Sequence, residues 1–213
     1  MILDTFDQAF LINLEKRPDR LQQAQVELHR VGIQAQVLRG IETKEKGNYH
    51  SAGARACLLT HLRALYIASA KRYKSVLIME DDVVFRNDFS AYWKDLLREV
   101  KSKPWDILYG YCWDNKNQFS PPEYMHLYRT LFNPCCHFWA IRDTAYDYII
   151  DKIEENDKSD TPTVLDNIFT DDKKLMMYCP NYNLVGQRVN ESDTESRWQD
   201  IAIPQYNGVY WHG

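Results

Sequence analysis

No apolar run in this chain is long enough to cross a bilayer as a helix, which takes about 20 residues. The start, Met1-Ile2-Leu3-Asp4-Thr5-Phe6-Asp7, carries early acids and no basic segment, so no signal peptide is expected. An excess of positive charge is missing as well. The 26 Lys and Arg are outnumbered by 30 Asp and Glu, and the net charge of -4 gives no global field for nucleic acid. No two cysteines are spaced C-x-x-C, which argues against structural zinc. The five cysteines, Cys57, Cys112, Cys135, Cys136 and Cys179, are scattered and odd in number, as expected of reduced thiols in a cytoplasmic protein. Repeats and low-complexity segments are absent. What remains is a globular composition. With 213 residues, 45% hydrophobic and 13% aromatic, the chain can build about one domain with a real core.

The most informative stretch is Val76-Leu77-Ile78-Met79-Glu80-Asp81-Asp82-Val83-Val84-Phe85. Its first half reads as a buried strand. Three carboxylates then interrupt it. Ligands of open α/β sheets bind beyond the carboxyl ends of the strands, so these acids are placed at the mouth of a site. If the strand continued, Glu80 and Asp82 would share one side, with Cα atoms about 7 Å apart, and Asp81 would face the other. Two carboxylates converging in this way suit a bound cation. Without one, like charges at about 4 Å repel by roughly 4 kcal/mol at a protein surface. The alternative is a solvated acidic turn.

Around this stretch the pattern alternates. Phe10 to Leu14 reads as a strand, Pro18 to Val31 as a helix closed by Gly32, and Gln36 to Leu38 as a second strand. Ser51 caps a helix through Leu58, Leu62 and Leu65, and Val76 to Met79 follows as the third strand. Phe89 to Val100 is an amphipathic helix and Trp105 to Tyr109 a strand. This order predicts a mostly parallel α/β sheet. The second half is less regular. Cys112 to Tyr128 reads as a loop, Phe138 to Ile141 as a strand and Tyr146 to Ile153 as a helix. A further helix is expected from Val164, capped by Thr161 or Thr163, and a strand from Met176 to Cys179. The tail from Val185, with Gln187, Arg188, Ser192, Asp193 and Trp198, shows little periodicity.

Three groups of residues carry candidate chemistry. Asn13-Leu14-Glu15-Lys16-Arg17-Pro18-Asp19-Arg20 leads from a strand into a helix N-terminus, where free N–H groups and arginines attract anions. Pairing of both arginines with Glu15 and Asp19 is the alternative. Cys57 and His61 lie four apart on one helix face without metal-ligand partners at a recognisable spacing, and a buried, hydrogen-bonded histidine is the simpler expectation. Asp166-Asn167 stands near a helix start, where an acid also complements the dipole.

Together these stretches resemble glycosyltransferase family 25, a group that includes lipopolysaccharide β-galactosyltransferases and collagen galactosyltransferases. The resemblance rests on Asn13-Leu14, Arg17 to Leu21, Cys57 to Leu62, Glu80 to Val83 and Trp105 to Leu108. It extends more faintly to Cys136 to Ile141, Leu165-Asp166-Asn167, Asn183 to Gln187 and Ser192-Asp193. Thr60 stands where the family usually has serine, and Cys135-Cys136 where small residues are common.

The resemblance implies a GT-A (Rossmann-like) fold over one domain, 1–213, with a donor-binding part at about 8–112 and an acceptor-side part at about 113–213. It further implies a UDP-sugar donor, manganese or magnesium, and a saccharide, glycolipid or protein acceptor. Galactose is the expected sugar. Asp82 and Glu80 would hold the metal. Asn13, Arg17, Arg20, Thr60, His61, Glu80 and Asp81 would contact the nucleotide sugar. His137, Asp193 and His212 are the candidates for a further metal ligand, and Asp166 is the expected general base, with Asp114 and Asp193 as competitors. A lipid-linked acceptor would bring the protein to the inner membrane face, where Lys71, Arg72 and Lys74 suit a weak peripheral contact. Two rivals stand beside this reading. A nucleotidyltransferase should carry a glycine-rich loop after the first strand, and Leu14 to Leu21 contains no glycine. A non-catalytic scaffold need not keep acids at 80, 82 and 166.

Overall fold

The structure is a computed structural model and describes residues 5–101, 103–112 and 125–188, with the backbone of two short strands at 205–206 and 209–210. Asp114, Ser192, Asp193, Trp198 and His212 lie outside the described residues.

The first half follows the alternation of the sequence. It runs β1 (Gln8–Asn13), α1 (Pro18–Val31), β2 (Gln36–Arg39), α2 (Ala52–Lys71), β3 (Ser75–Glu80), β4 (Val83–Phe85), α3 (Phe89–Lys101) and β5 (Ile107–Tyr109). Then come β6 (Leu127–Arg129), β7 (Phe138–Arg142), α4 (Tyr146–Asp157), β8 (Met177–Pro180), β9 (Val185–Arg188), β10 (Gln205–Tyr206) and β11 (Val209–Tyr210). The main sheet has the order β2-β1-β3-β7-β5-β8-β6. β7 and β6 are antiparallel to their neighbours and the other five strands run one way, so the sheet is mixed but mostly parallel.

Burial explains the layering. β3 is apolar through Met79 because both of its faces are covered. Phe10, Val76, Ile78, Trp139 and Ile141 face α2 and α4. Ala9, Leu11, Leu77, Met79, Phe138 and Ala140 face α1 and α3. These sets alternate along each strand, as the two-residue period of a strand requires. Ser51 does cap α2, its Oγ accepting the Ala54 N–H at 3.0 Å. Gly32 closes α1 in the left-handed region at φ 72°. Among the described residues no helix is long and apolar enough to cross a membrane.

Three expectations need correction. The helix expected from Val164 is a single 3-10 turn, Leu165–Asn167, with no side-chain cap, because Asn156 bonds both the N–H and the carbonyl of Thr163 instead. The region from Val185 begins with a strand, not an irregular tail. β9 pairs with β4 and β11 in a second sheet, order β10-β11-β9-β4. Four residues with two polar ones leave too little period to read from sequence. β6 likewise begins inside the stretch read as a loop, overlapping it at Leu127 and Tyr128.

Gly110 marks where the two sheets meet closely. Its N–H donates to the Phe138 carbonyl at 3.1 Å and its carbonyl accepts from the Leu184 N–H at 3.2 Å. A Cβ here would collide with the Phe138 ring and stand 3.0 Å from Val185 Cγ2. The Phe138 ring cannot yield easily, being packed edge-on against Phe85, Phe89 and Trp93. Gly110→Ala is therefore expected to cost about 1–3 kcal/mol by overpacking, seen as a lower denaturant midpoint at unchanged slope. An unchanged midpoint would show that the ring has room to move.

Candidate active site

β3 ends at Glu80, and Asp81 and Asp82 form a turn before β4 crosses into the second sheet. The alternating arrangement expected of the three acids is thus broken by the turn. Main-chain bonds clamp it on both sides. The Glu80 N–H donates to the His137 carbonyl at 2.9 Å, and the Arg188 N–H donates to the Asp82 carbonyl at 2.7 Å. The acids stand where the two sheets diverge.

Arg20, in the first turn of α1, reaches this turn. Its guanidinium lies 2.5 Å from Asp81 Oδ1 and 3.2 Å from Asp82 Oδ2, with only 7% of the residue exposed. Asn13 donates to Asp81 Oδ2 at 2.7 Å and to the Arg17 carbonyl at 3.0 Å, tying the end of β1 to both the acids and the helix. Arg17 turns away to Asp19, with contacts at 3.1 and 3.2 Å. Glu15 pairs with Arg39. So of the two arginines only Arg17 takes the local ion pair, and Arg20 is built into the acidic turn.

Burial raises the Asp81 carboxyl, with Arg20 opposing the shift. Asp82 is pushed up to about 7, first by burial, then by the charge of Glu80, again against Arg20. Its Oδ1 is buried and has no hydrogen-bond partner among the described residues. The same holds for Nε2 of His137, a residue 4% exposed whose ring is held neutral, its pKa lowered to about 4, by burial. A buried carboxylate oxygen and a buried neutral imidazole nitrogen, each without a partner among the described residues, are donors of the kind a divalent cation takes, and the charge of Glu80 acts on both.

α2 supplies the opposite wall. His61 is fully buried. Its Nδ1 accepts from the Trp139 indole N–H at 3.1 Å, and its Nε2 lies 3.1 Å from Glu80 Oε1. Cys57, one turn earlier, places Sγ 3.8 Å from the same oxygen. Burial would raise the Glu80 carboxyl, but the contact with His61 turns the net shift downward. Thr60 does different work. Its hydroxyl donates to the Ala56 carbonyl at 2.7 Å and accepts the Ile41 N–H at 2.9 Å, so it pins the loop after β2 to the helix. With its one donor spent on Ala56, Thr60 is a loop anchor.

Asp166 comes from the 3-10 turn. Its Oδ1 accepts the Cys136 N–H at 2.7 Å. Burial raises its carboxyl, and so does the charge of Glu80, which places both acids in one electrostatic neighbourhood. The described site therefore gathers Asn13, Arg20, His61, Glu80, Asp81, Asp82, His137 and Asp166, and leaves Arg17 and Thr60 at its edge. Trp139 was legible in the sequence only as a core aromatic. Nothing in its spacing announces a hydrogen bond to His61.

A mixed α/β sheet ending in carboxylates at the tip of a central strand, beside a helix N-terminus, is the arrangement of a GT-A glycosyltransferase. The chain belongs to glycosyltransferase family 25: the family profile, described as Glycosyltransferase family 25 (LPS biosynthesis protein), matches residues 6–138. A Drosophila pseudoobscura protein named glycosyltransferase 25 family member is 28% identical over 127 residues, 49% of this chain and 20% of its own length. A Bos taurus protein named probable inactive glycosyltransferase 25 family member 3 is 26% identical over the same length, 49% of this chain and 21% of its own. This chain thus covers about a fifth of these relatives. Among solved structures, the mannose-1-phosphate geranyltransferase of Thermus thermophilus aligns with a TM-score of 0.47 at 10% identity, covering 81% of this chain and 73% of that one.

Proposed function

We propose that this chain is a metal-dependent, inverting glycosyltransferase that moves a hexose, galactose from UDP-galactose, to a hydroxyl of a glycan, glycolipid or protein acceptor. The observation that carries the reading is the buried oxygen of Asp82, without a partner among the described residues and close enough to Glu80 to feel its charge, in a chain of family 25. Asp82 and Glu80 would hold manganese or magnesium, with His137 a candidate for a further ligand, since hard oxygen donors and imidazole suit these ions. A divalent cation bound there supplies charge neutralisation to a leaving diphosphate. The remaining work falls to side chains. Arg20 holds Asp82 in place. With Glu80 Oε1 committed to His61, a ribose hydroxyl would be met by Oε2. Asp166 takes the proton of the acceptor hydroxyl as general base. A lipid-linked acceptor would bring the protein to the inner face of a membrane. Lys71 and Arg72 at the end of α2 would touch anionic headgroups there, whereas Lys74 is already paired with Asp143 at 2.8 Å.

A second reading has its own support. Relatives from Bos taurus and Homo sapiens are named inactive, so a non-catalytic donor-binding scaffold is the alternative. One set of measurements separates the two. UDP affinity is measured by calorimetry with and without manganese, and UDP release from UDP-galactose is followed in parallel. Manganese is expected to raise UDP affinity, and Asp82→Asn to remove most of that gain. Asp82 is protonated below about pH 7, so a cation must displace that proton. The gain should therefore grow as pH rises towards 7 and level off above it. A variant that keeps the full manganese effect would remove Asp82 from the metal site. Binding without UDP release, whatever the acceptor offered, would favour the scaffold.

A further inference from the structure

Cys57, His61 and Glu80 present ligand atoms within 4.8 Å of one another, the size of a metal site. The hydrogen bonds around His61 say otherwise. An indole nitrogen can only donate. Trp139 Nε1–H points at His61 Nδ1 from 3.1 Å, so Nδ1 must present its lone pair. The ring proton then sits on Nε2, which faces Glu80 Oε1 at 3.1 Å as a donor. A metal on Nε2 would need that proton moved to Nδ1, where it would meet the indole N–H head-on. His61 is fully buried in α2 and Trp139 in β7, so neither ring has solvent to turn towards.

We propose that Trp139 and His61 are positioning residues for Glu80. Trp139 fixes the tautomer of His61, and His61 holds one oxygen of Glu80. The chain of bonds Trp139 N–H to His61 Nδ1, then His61 Nε2–H to Glu80 Oε1, links β7, the neighbour of β3 in the sheet, through α2 on the sheet face to the end of β3. It sets the Glu80 rotamer before any ligand arrives. It also turns the Cys57, His61 and Glu80 trio away from metal binding through His61 Nε2. The relay itself follows from hydrogen-bond geometry alone. Its consequence for ligand binding rests on the donor-site reading given above.

The test has two arms. Long-range proton–nitrogen correlation on protein with labelled histidine reads the tautomer of His61, assigned by its loss in His61→Gln. A pyridine-type shift at Nδ1 and a pyrrole-type shift at Nε2 are expected. The reverse assignment would overturn the relay, whatever the protein binds. In the second arm, UDP with manganese is titrated into wild type, His61→Leu, His61→Gln and Trp139→Phe, each shown to be folded by its melting curve. His61→Leu should weaken binding about 10–100-fold, as loss of a ligand's supporting partner does. His61→Gln keeps an N–H donor near the Nε2 position and should recover most of that loss. Trp139→Phe should fall between them, with the His61 tautomer now mixed. Equal binding by His61→Leu and wild type would overturn the positioning role. Absence of UDP binding in wild type would instead defeat the donor-site reading, while the tautomer still decides the relay.

Discussion

Asp166→Asn is expected to lower kcat by about 10²–10⁴-fold, the usual worth of a general base, while UDP binding with manganese stays within a few-fold of wild type. The substitution is nearly isosteric. An asparagine keeps an oxygen to accept the Cys136 N–H now taken by Asp166 Oδ1 at 2.7 Å, so the 3-10 turn should hold. What it loses is the ability to take a proton. The site tunes that ability in the useful direction. Burial, and then the charge of Glu80, raise the Asp166 carboxyl, which makes it a stronger base than an exposed aspartate. The measurement is turnover under saturating donor, with an acceptor first shown to be glycosylated by wild type. Near-wild-type turnover by Asp166→Asn would move the role to Asp114 or Asp193, which lie outside the described residues.

Arg20→Ala is expected to destabilise the fold by about 3–5 kcal/mol, because removing one partner of a buried ion pair leaves the others uncompensated. From sequence, Arg20 was expected to bind donor phosphate and to matter little for folding. The structure reverses the second half of that expectation. Arg20 bridges Asp81 at 2.5 Å and Asp82 at 3.2 Å, and Asn13 alone cannot neutralise the two. At roughly 2–4 °C per kcal/mol for a chain of this size, melting should fall by about 6–20 °C. The pH dependence has a definite sign. Protonated Asp81 and Asp82 need no cation, and both carboxyls are raised, so the deficit should shrink as pH falls from 7 towards 5. Arg17→Ala, whose ion pair with Asp19 lies at the surface, should shift melting less than Arg20→Ala. An Arg20→Ala protein as stable as wild type at pH 7 would show that the acidic turn relaxes into solvent without its arginine.

Much of this architecture is written locally. The apolar run of β3 states that both faces are covered, and the alternation of strand and helix from Phe10 to Val100 states the mostly parallel sheet. Pro18, Gly32 and Ser51 mark helix ends within a residue, because caps and φ restrictions act over one turn. The acids at the end of β3 were legible as a candidate site for the same reason. Strand termini are where a sheet opens, and charge there interrupts a pattern that is otherwise apolar.

What the sequence determined was where each element runs and which end of the sheet carries charge, since period, capping and turn chemistry are properties of neighbours along the chain. Only the tertiary structure decided which arginine is built into the acidic turn. Arg17 and Arg20 differ by less than one helical turn, yet one faces Asp19 and the other Asp81 and Asp82, about sixty residues away. It also decided that Thr60 anchors a loop and that Trp139, on the sheet face under α2, meets His61. β9 likewise acquires its strand only by pairing with β4. These contacts join residues that no local pattern links. A polar group's partner is fixed by where burial leaves it facing, and burial is set by the packing of the whole chain.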